Sequence, residues 1–536
     1  MENFRLFIQK VYGKLNKKGV LPEKGMNEMK KLIAVILSVV MILTVISPAA
    51  VAADGKCDCG VLPTIYVGPL GNTDIYENPG AENEKTLFRP ATDTIVKLVL
   101  KLVPSLFGLL LFKDYDGFGD SLIDAVNDAM GSMALDGNGN SLPNVDVKIE
   151  LPTKTEHGRD YQYYFHYDWR LDPVESAGKL DEYIQVIKGV TGHNQVNIKA
   201  SSMGGVVAMS YFAEYGYEDV AACVFQCCPI LGTDVAGDLL SRKVALDGKA
   251  LLDYGITALP PEDFGGALLN GLFYALYYSG LIDGVMVLGN NLLNNLETKV
   301  FDELLTPVFG TILGLWAFVP DHSYEEAKAI NLDPETQAGL IAKADYYHYN
   351  VQCRADEILN GAIDAGTRIM IVAGYDIQRT PLVESMHNDS DATVDTKYAS
   401  AGATVALRGE VLESTCEAEC GHNHVSPEGD IDASTCILPE NTWFLKGMLH
   451  STGHDGIDEF YNWFFYSGED CNVWTNPAYP QFIDDDKPNN RLIPMGNFAE
   501  GVEPPEVEAG DSFHDKYVEN VLPVIEKVIG FVEKIR

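Results

Sequence analysis

Residues 199–205 read Lys-Ala-Ser-Ser-Met-Gly-Gly, behind an apolar run that starts at Val196 and ahead of an apolar stretch ending near Tyr215. The pattern predicts a strand over 196–200, a sharp turn, and a helix over 204–215. A serine at such a turn is held in a strained conformation that exposes its hydroxyl as a nucleophile. The residues two before and two after it are pressed together, so only small side chains fit. Ala200 and Gly204 meet that condition for Ser202, whereas Lys199 and Met203 fail it for Ser201. Alanine thus stands at 200 where glycine is the more usual residue. The helix that begins beside Ser202 directs its amide dipoles at the reacting centre, and the Met203 amide is positioned to donate to an oxyanion.

A serine nucleophile needs a base and the base needs an orienting acid, in the chain order Ser, Asp, His for a strand–turn–helix nucleophile. His450 and His454 both lie between a strand-like run, TWFLKGML (442–449), and a helix-like run, DEFYNWFF (458–465). His450 follows the strand directly and is the expected base, leaving His454 at the surface or pocket rim. Asp376 follows the apolar run TRIMIVAG (367–374) and occupies the position where many such folds carry the acid.

The segment YDWRLDP (167–173), then a helical stretch, then SSMGG (201–205), resembles the lipase and lecithin:cholesterol acyltransferase-like branch of the α/β-hydrolases. Members carry a D-W-R element ahead of an H-S-M-G-G turn. PTIYVGPLGN (63–72) is similar to their V-P-G-x-G-G-S oxyanion loop with glycine and proline exchanged. That match implies the Leu70 amide as a second oxyanion donor. NDSDATVDT (388–396) resembles their D-G-D-G-T-V segment and implies Asp391 as the acid in place of Asp376, with Ala392 where the family has glycine. The resemblance spans about 62–465. It implies a serine hydrolase of carboxylic esters, of lipid or other acyl type, needing no cofactor and no metal. Acyl transfer to an alcohol through the same triad is the alternative, and a non-catalytic binding protein on the same fold is the other. Asp168 and Arg170 read as a structural ion pair near the pocket.

The elements that must position these residues are strands alternating with helices, which indicates an α/β fold: a mostly parallel sheet with helices on both faces. Strands are expected within 62–76 ahead of its Gly/Pro turn, from 161 to Asp168, at 196–200, within 220–233 and at 367–374, with a helix over 174–192 ending at Gly192. Residues 234–350 are Leu-rich and helical in pattern, as for a cap inserted over a pocket. Residues 94–112 read as a packed or lid helix.

The 536-residue chain is 46% hydrophobic and carries a formal charge of -38, from 39 Lys+Arg against 77 Asp+Glu. Such a surface repels phosphate backbones and excludes nucleic-acid binding as the expected role. Residues 29–53 have the basic start, apolar core and small-residue end of a secretory signal, preceded by a 1–28 extension that a start at Met26 or Met29 would remove. Export is therefore expected, with a membrane anchor as the alternative. Residues 54–500 form the expected hydrolase domain, and 501–536 an acidic linker and amphipathic helix, for which transient contact with a lipid surface is one reading. Cys57/Cys59 and Cys227/Cys228 are too close in sequence for easy internal bridges, which makes Cys416, Cys420 and Cys436 the better disulfide candidates. Cys416, Cys420, His422 and His424 also form a zinc pattern of uncommon spacing, ranked below a disulfide.

Overall fold

The computed structural model describes residues 57–499 apart from 58, 89–101, 103, 106–107, 110–111, 150, 259–280, 416–420, 451 and 469–470, together with 502. The signal-like segment 29–53, most of the 94–112 stretch, the 513–536 helix pattern, and Cys416 and Cys420 lie outside the described residues. Among the described residues, no helix is long and apolar enough to cross a membrane.

Eight strands form one sheet: β1 (Thr64–Val67), β2 (Gln162–Phe165), β3 (Val196–Ser201), β4 (Val220–Gln226), β5 (Arg368–Tyr375), β6 (Thr442–Lys446), β7 (Phe482–Asp486) and β8 (Arg491–Gly496). Their order across the sheet is β8-β7-β6-β5-β4-β3-β1-β2, and every pairing is parallel except β7 with β8. The central strands are apolar on both faces, as a parallel sheet covered on both sides requires. Alternate residues divide between two cores. Cys223, Phe225, Ile369 and Ile371 belong to one, while Ala222, Val224, Met370 and Val372 belong to the other.

The helices used below are α1 (Tyr115–Met130), α2 (Pro173–Thr191), α3 (Met203–Tyr215), α4 (Leu281–Val300), α5 (Asp321–Asn331), α6 (Ala338–Asn350), α7 (Ala355–Asp364) and α8 (Asp455–Tyr466). The first core is closed by α2, α3 and α7, through Ile184, Ile187, Val206 and Leu359. The second is closed by α8, through Ile457, Phe460 and Phe464 packed near Trp443. The α/β architecture with helices on both faces is as expected. Helix α2 starts on Asp172, whose carboxylate accepts the Val174 amide at 2.9 Å with Pro173 in the first turn, and it ends at Gly192 in the left-handed conformation.

Three local expectations change. The strand expected to reach Asp168 stops at Phe165, because β1 beside it ends at Val67 and the Asp168 carboxylate turns to Arg170. The β-rich run over 220–233 is a strand only to Gln226, since Cys227 takes a positive φ of 51° and turns the chain. Strands β7 and β8 were not expected at all.

The described part of 234–350 is helical and contains no strand. Its later half has its own apolar cluster, in which Leu313, Trp316, Tyr324 and Leu340 gather. That cluster sits directly on the turn carrying Ser202. A β-carbon built on Gly314 would lie 2.0 Å from the Trp169 carbonyl oxygen and 2.5 Å from the Met203 Cε.

Candidate active site

Ser202 sits between the end of β3 and the start of α3 with φ 53° and ψ −121°, a conformation an L-residue adopts only under constraint. Its amide donates to the Gln226 carbonyl at 3.0 Å, which ties the turn to β4. The tight packing falls on the helix side. A β-carbon on Gly204 would lie 1.9 Å from the Val67 carbonyl oxygen, and one on Gly205 would lie 2.4 Å from the Cys228 Cβ. Ala200 is fully buried in the sheet and its methyl is accommodated there. The steric demand that excludes side chains is therefore met at 204, and the alanine at 200 leaves the turn intact.

The His450 ring bridges Ser202 and Asp391, the acid that the resemblance implies. Its Nε2 lies 2.8 Å from the Ser202 Oγ, and its Nδ1 lies 2.8 Å from the Asp391 Oδ2. A neutral ring in this setting donates from Nδ1 to the carboxylate and accepts the serine hydroxyl proton at Nε2. The other carboxylate oxygen, Asp391 Oδ1, accepts the amides of Thr393 at 2.9 Å and Val394 at 2.7 Å. The backbone joins acid to base as well, since the His450 amide donates to the Asp391 carbonyl at 2.9 Å. Gly374, at the end of β5, makes this approach possible: a β-carbon there would lie 2.4 Å from the Met448 carbonyl oxygen and 2.8 Å from the Asp391 Cβ. Asp391 is fully buried, Ser202 is 5% exposed, and the His450 side chain keeps 17% of its surface exposed.

The loop that carries Asp391 is fixed by a buried ion pair between Arg379 and Asp395. Asp395 also accepts from Thr233 Oγ1 at 2.9 Å and from Asn388 Nδ2 at 2.8 Å. Ala392, where the resembling family has glycine, takes a φ of 83°. Asp389 in the same loop has its carboxyl pushed up to about 8, mainly by burial.

Asp376 is not brought to the histidine. Its side chain is 41% exposed and faces Lys446 at 3.6 Å and Arg408 at 3.9 Å. His454 is not a surface or rim residue. Its side chain is 7% exposed, accepts the Gly456 amide at Nδ1 and so begins α8, and donates from Nε2 to Asp485 Oδ1 at 2.6 Å. The strand β7 that supplies Asp485 was absent from the sequence reading, so this pairing was not foreseeable there.

Met203 is the first residue of α3. Leu70 occupies the second position of a turn closed by Asn72 N donating to Pro69 O at 3.0 Å, with Gly71 next at φ 79°. This is a type II arrangement, and proline at its first position needs no N–H there. The Tyr167 hydroxyl donates to the Gly68 carbonyl at 2.8 Å and anchors the loop. Asp168 and Arg170 form the expected structural pair, buried and bidentate at 3.0 and 2.6 Å. Arg170 reaches on to Met133 O and Ser141 Oγ.

A groove of about 540 Å³ lies on the sheet face toward α8, lined by Tyr66, Tyr164, Lys199, Tyr461 and Phe465. Neither Ser202 nor His450 lines it. Of the cysteine–histidine pattern near 416–424, His424 bonds Gln481 at 2.9 Å and His422 lies tilted against the Trp474 ring; Cys436, further on, is a buried free thiol.

No family model and no curated protein matches the chain. Among solved structures, a chain of "The crystal structure of Tle4-Tli4 complex" is similar at 13% identity and a TM-score of 0.23, over 58% of this chain and 75% of that one.

Proposed function

We propose that the protein is a serine hydrolase of carboxylic esters, built on an α/β-hydrolase fold with a helical cap and acting on lipid or other acyl esters. The observation that carries this reading is the continuous relay from Ser202 Oγ through His450 to Asp391, with both spans at 2.8 Å and the serine on a turn of φ 53°. The chain order serine, aspartate, histidine around parallel strands supports the same fold. In the proposed reaction Ser202 attacks the ester carbonyl as His450 Nε2 takes its proton, and Asp391 holds the ring in the tautomer that can do so. The tetrahedral oxyanion forms beside the Met203 and Leu70 amides. His450 then returns the proton to the leaving alcohol, and water activated by the same ring releases the acid. An alcohol in place of that water gives acyl transfer, the alternative outcome of the same intermediate.

Export through the 29–53 segment belongs to this proposal, as does contact with a lipid surface during turnover. The test is hydrolysis of short- and long-chain acyl esters with fluorophosphonate labelling, beside Ser202→Ala. Activity and labelling lost together in the variant support the reading. A wild type that neither labels nor turns over any ester, with or without an alcohol acceptor, overturns it in favour of a binding protein.

A further inference from the structure

At the opposite end of the sheet from Ser202, four metal-ligating side chains meet that no part of the reaction uses. Cys57 and Cys59 precede β1, His157 precedes β2, and His193 follows the Gly192 cap of α2 and precedes β3. These three strands are neighbours, with Thr64 in register with Gln162 on one side and Asn197 on the other. The topology therefore brings the residues before the three strands to one edge. The Cys57 amide donating to the Gly192 carbonyl at 3.0 Å draws the first of them in.

The four ligand atoms all lie within 4.8 Å of one another. Cys59 Sγ is 3.2 Å from His157 Nε2 and 3.6 Å from His193 Nε2. Cys57 Sγ is 3.7 Å from His157 Nε2, and the two imidazole nitrogens are 3.2 Å apart. Zinc bonds of about 2.3 Å to sulfur and 2.0–2.1 Å to nitrogen at the tetrahedral angle separate S from N by about 3.5 Å and N from N by about 3.4 Å. These four separations lie within about 0.3 Å of those values. His157 Nδ1 faces the Thr155 carbonyl at 3.0 Å, so the ring proton sits there and the Nε2 lone pair is directed inward, as in zinc-binding histidines. Both cysteines are free thiols.

We propose that Cys57, Cys59, His157 and His193 form a tetrahedral zinc site that clips the chain ahead of β1 to the segments leading into β2 and β3. Two thiolates and two imidazoles select a borderline-soft tetrahedral cation over calcium or magnesium. With four protein ligands the site is closed, and its place at the far end of β3 from Ser202 makes it structural. It joins positions 98 and 36 residues apart in sequence, so the site exists only once the strands are placed and zinc binding adds directly to folding stability.

The test uses tag-free protein purified without chelator. About one zinc per chain is expected by elemental analysis, falling below about a tenth in Cys59→Ser and in His157→Ala. Should those variants fail to fold, the wild type decides. A mercurial that titrates the thiols must release the zinc stoichiometrically, and cobalt substitution must give the visible and charge-transfer bands of tetrahedral thiolate cobalt. Chelation must also lower the unfolding temperature of the wild type. Wild-type protein that binds no zinc and yields no cobalt–thiolate bands, or that carries a Cys57–Cys59 disulfide, overturns the proposal. None of these measurements depends on esterase activity.

Discussion

Gly204→Ala is the sharpest perturbation of the nucleophile turn. The added β-carbon would lie 1.9 Å from the Val67 carbonyl oxygen, where real β-carbons essentially never come under 3.0 Å, so about 1.1 Å must be found. Val67 cannot supply it, because β1 is paired on one side to β2 and on the other to β3. The start of α3 must move instead, and Ser202 moves with it. Overpacking of this kind costs about 1–3 kcal/mol of stability, and the backbone partner puts this case at the upper end. A shift of about 1 Å in a reacting group costs on the order of a hundredfold in rate. The companion variant Ala200→Gly removes one buried methyl and loosens a strand, costing about 1–2 kcal/mol, and leaves the turn in place. The assay pairs thermal unfolding with the second-order rate of fluorophosphonate labelling and kcat/KM on an acyl ester. Gly204→Ala is expected to lose both stability and labelling rate, and Ala200→Gly to keep kcat/KM within about threefold. A Gly204→Ala protein with unchanged unfolding temperature and labelling rate would refute the packing argument.

Asp391→Asn leaves the shape of the relay but favours the wrong histidine tautomer, so kcat is expected to fall by about 10⁴, while Asp376→Asn changes it little. Equal losses in the two, measured by steady-state kinetics, would remove Asp391 from its role. His454→Ala removes the start of α8 and strands Asp485, with an expected loss of about 2–4 kcal/mol in denaturant unfolding. Labelling of the remaining folded protein is expected to persist. Asp389 has its folded pKa raised to about 8, above the unfolded carboxylate value of about 4. In the window between those values the unfolded chain loses a proton that the folded chain retains. This group therefore lowers stability as pH rises from about 4 to about 8. Asp389→Asn should remove that slope, and unfolding curves at pH 5 and pH 8 that stay parallel to wild type would contradict it.

The sheet was legible where strands are apolar on both faces, as in Ile369–Ala373 and Val220–Phe225, because burial from both sides leaves no polar position to blur the signal. The serine turn was legible because the glycine at 204 meets a steric requirement visible in one dimension, with a small residue at 200 beside it. His450 followed from its place after β6. Asp391 did not follow from the residues alone, which favoured Asp376. Both follow β5, and only the close approach at Gly374 and the backbone bond to His450 separate them. Strand β7 reads Phe-Ile-Asp-Asp-Asp, and its acids hide a strand whose Asp485 is buried against His454. The cysteine–histidine cluster was missed because its members come from three segments far apart in sequence. No spacing rule joins them before the strands are placed side by side.

The helical segment between β4 and β5 leaves and re-enters the sheet through two strands paired directly to each other, Gln226 against Val372. The frame that aligns serine, acid and base is thus closed behind the insertion. The middle of that segment can change in length without breaking this pairing, while its ends stay tied to the rest: Asp234 N donates to Asp395 Oδ2 at 2.8 Å, Gly314 packs on the serine turn, and α7 closes the first core. Under the proposed reading, the range of molecules admitted and the chemistry performed on them become separately heritable properties. Variants selected for a new ligand should carry their changes between 234 and 350 and leave the strand ends untouched.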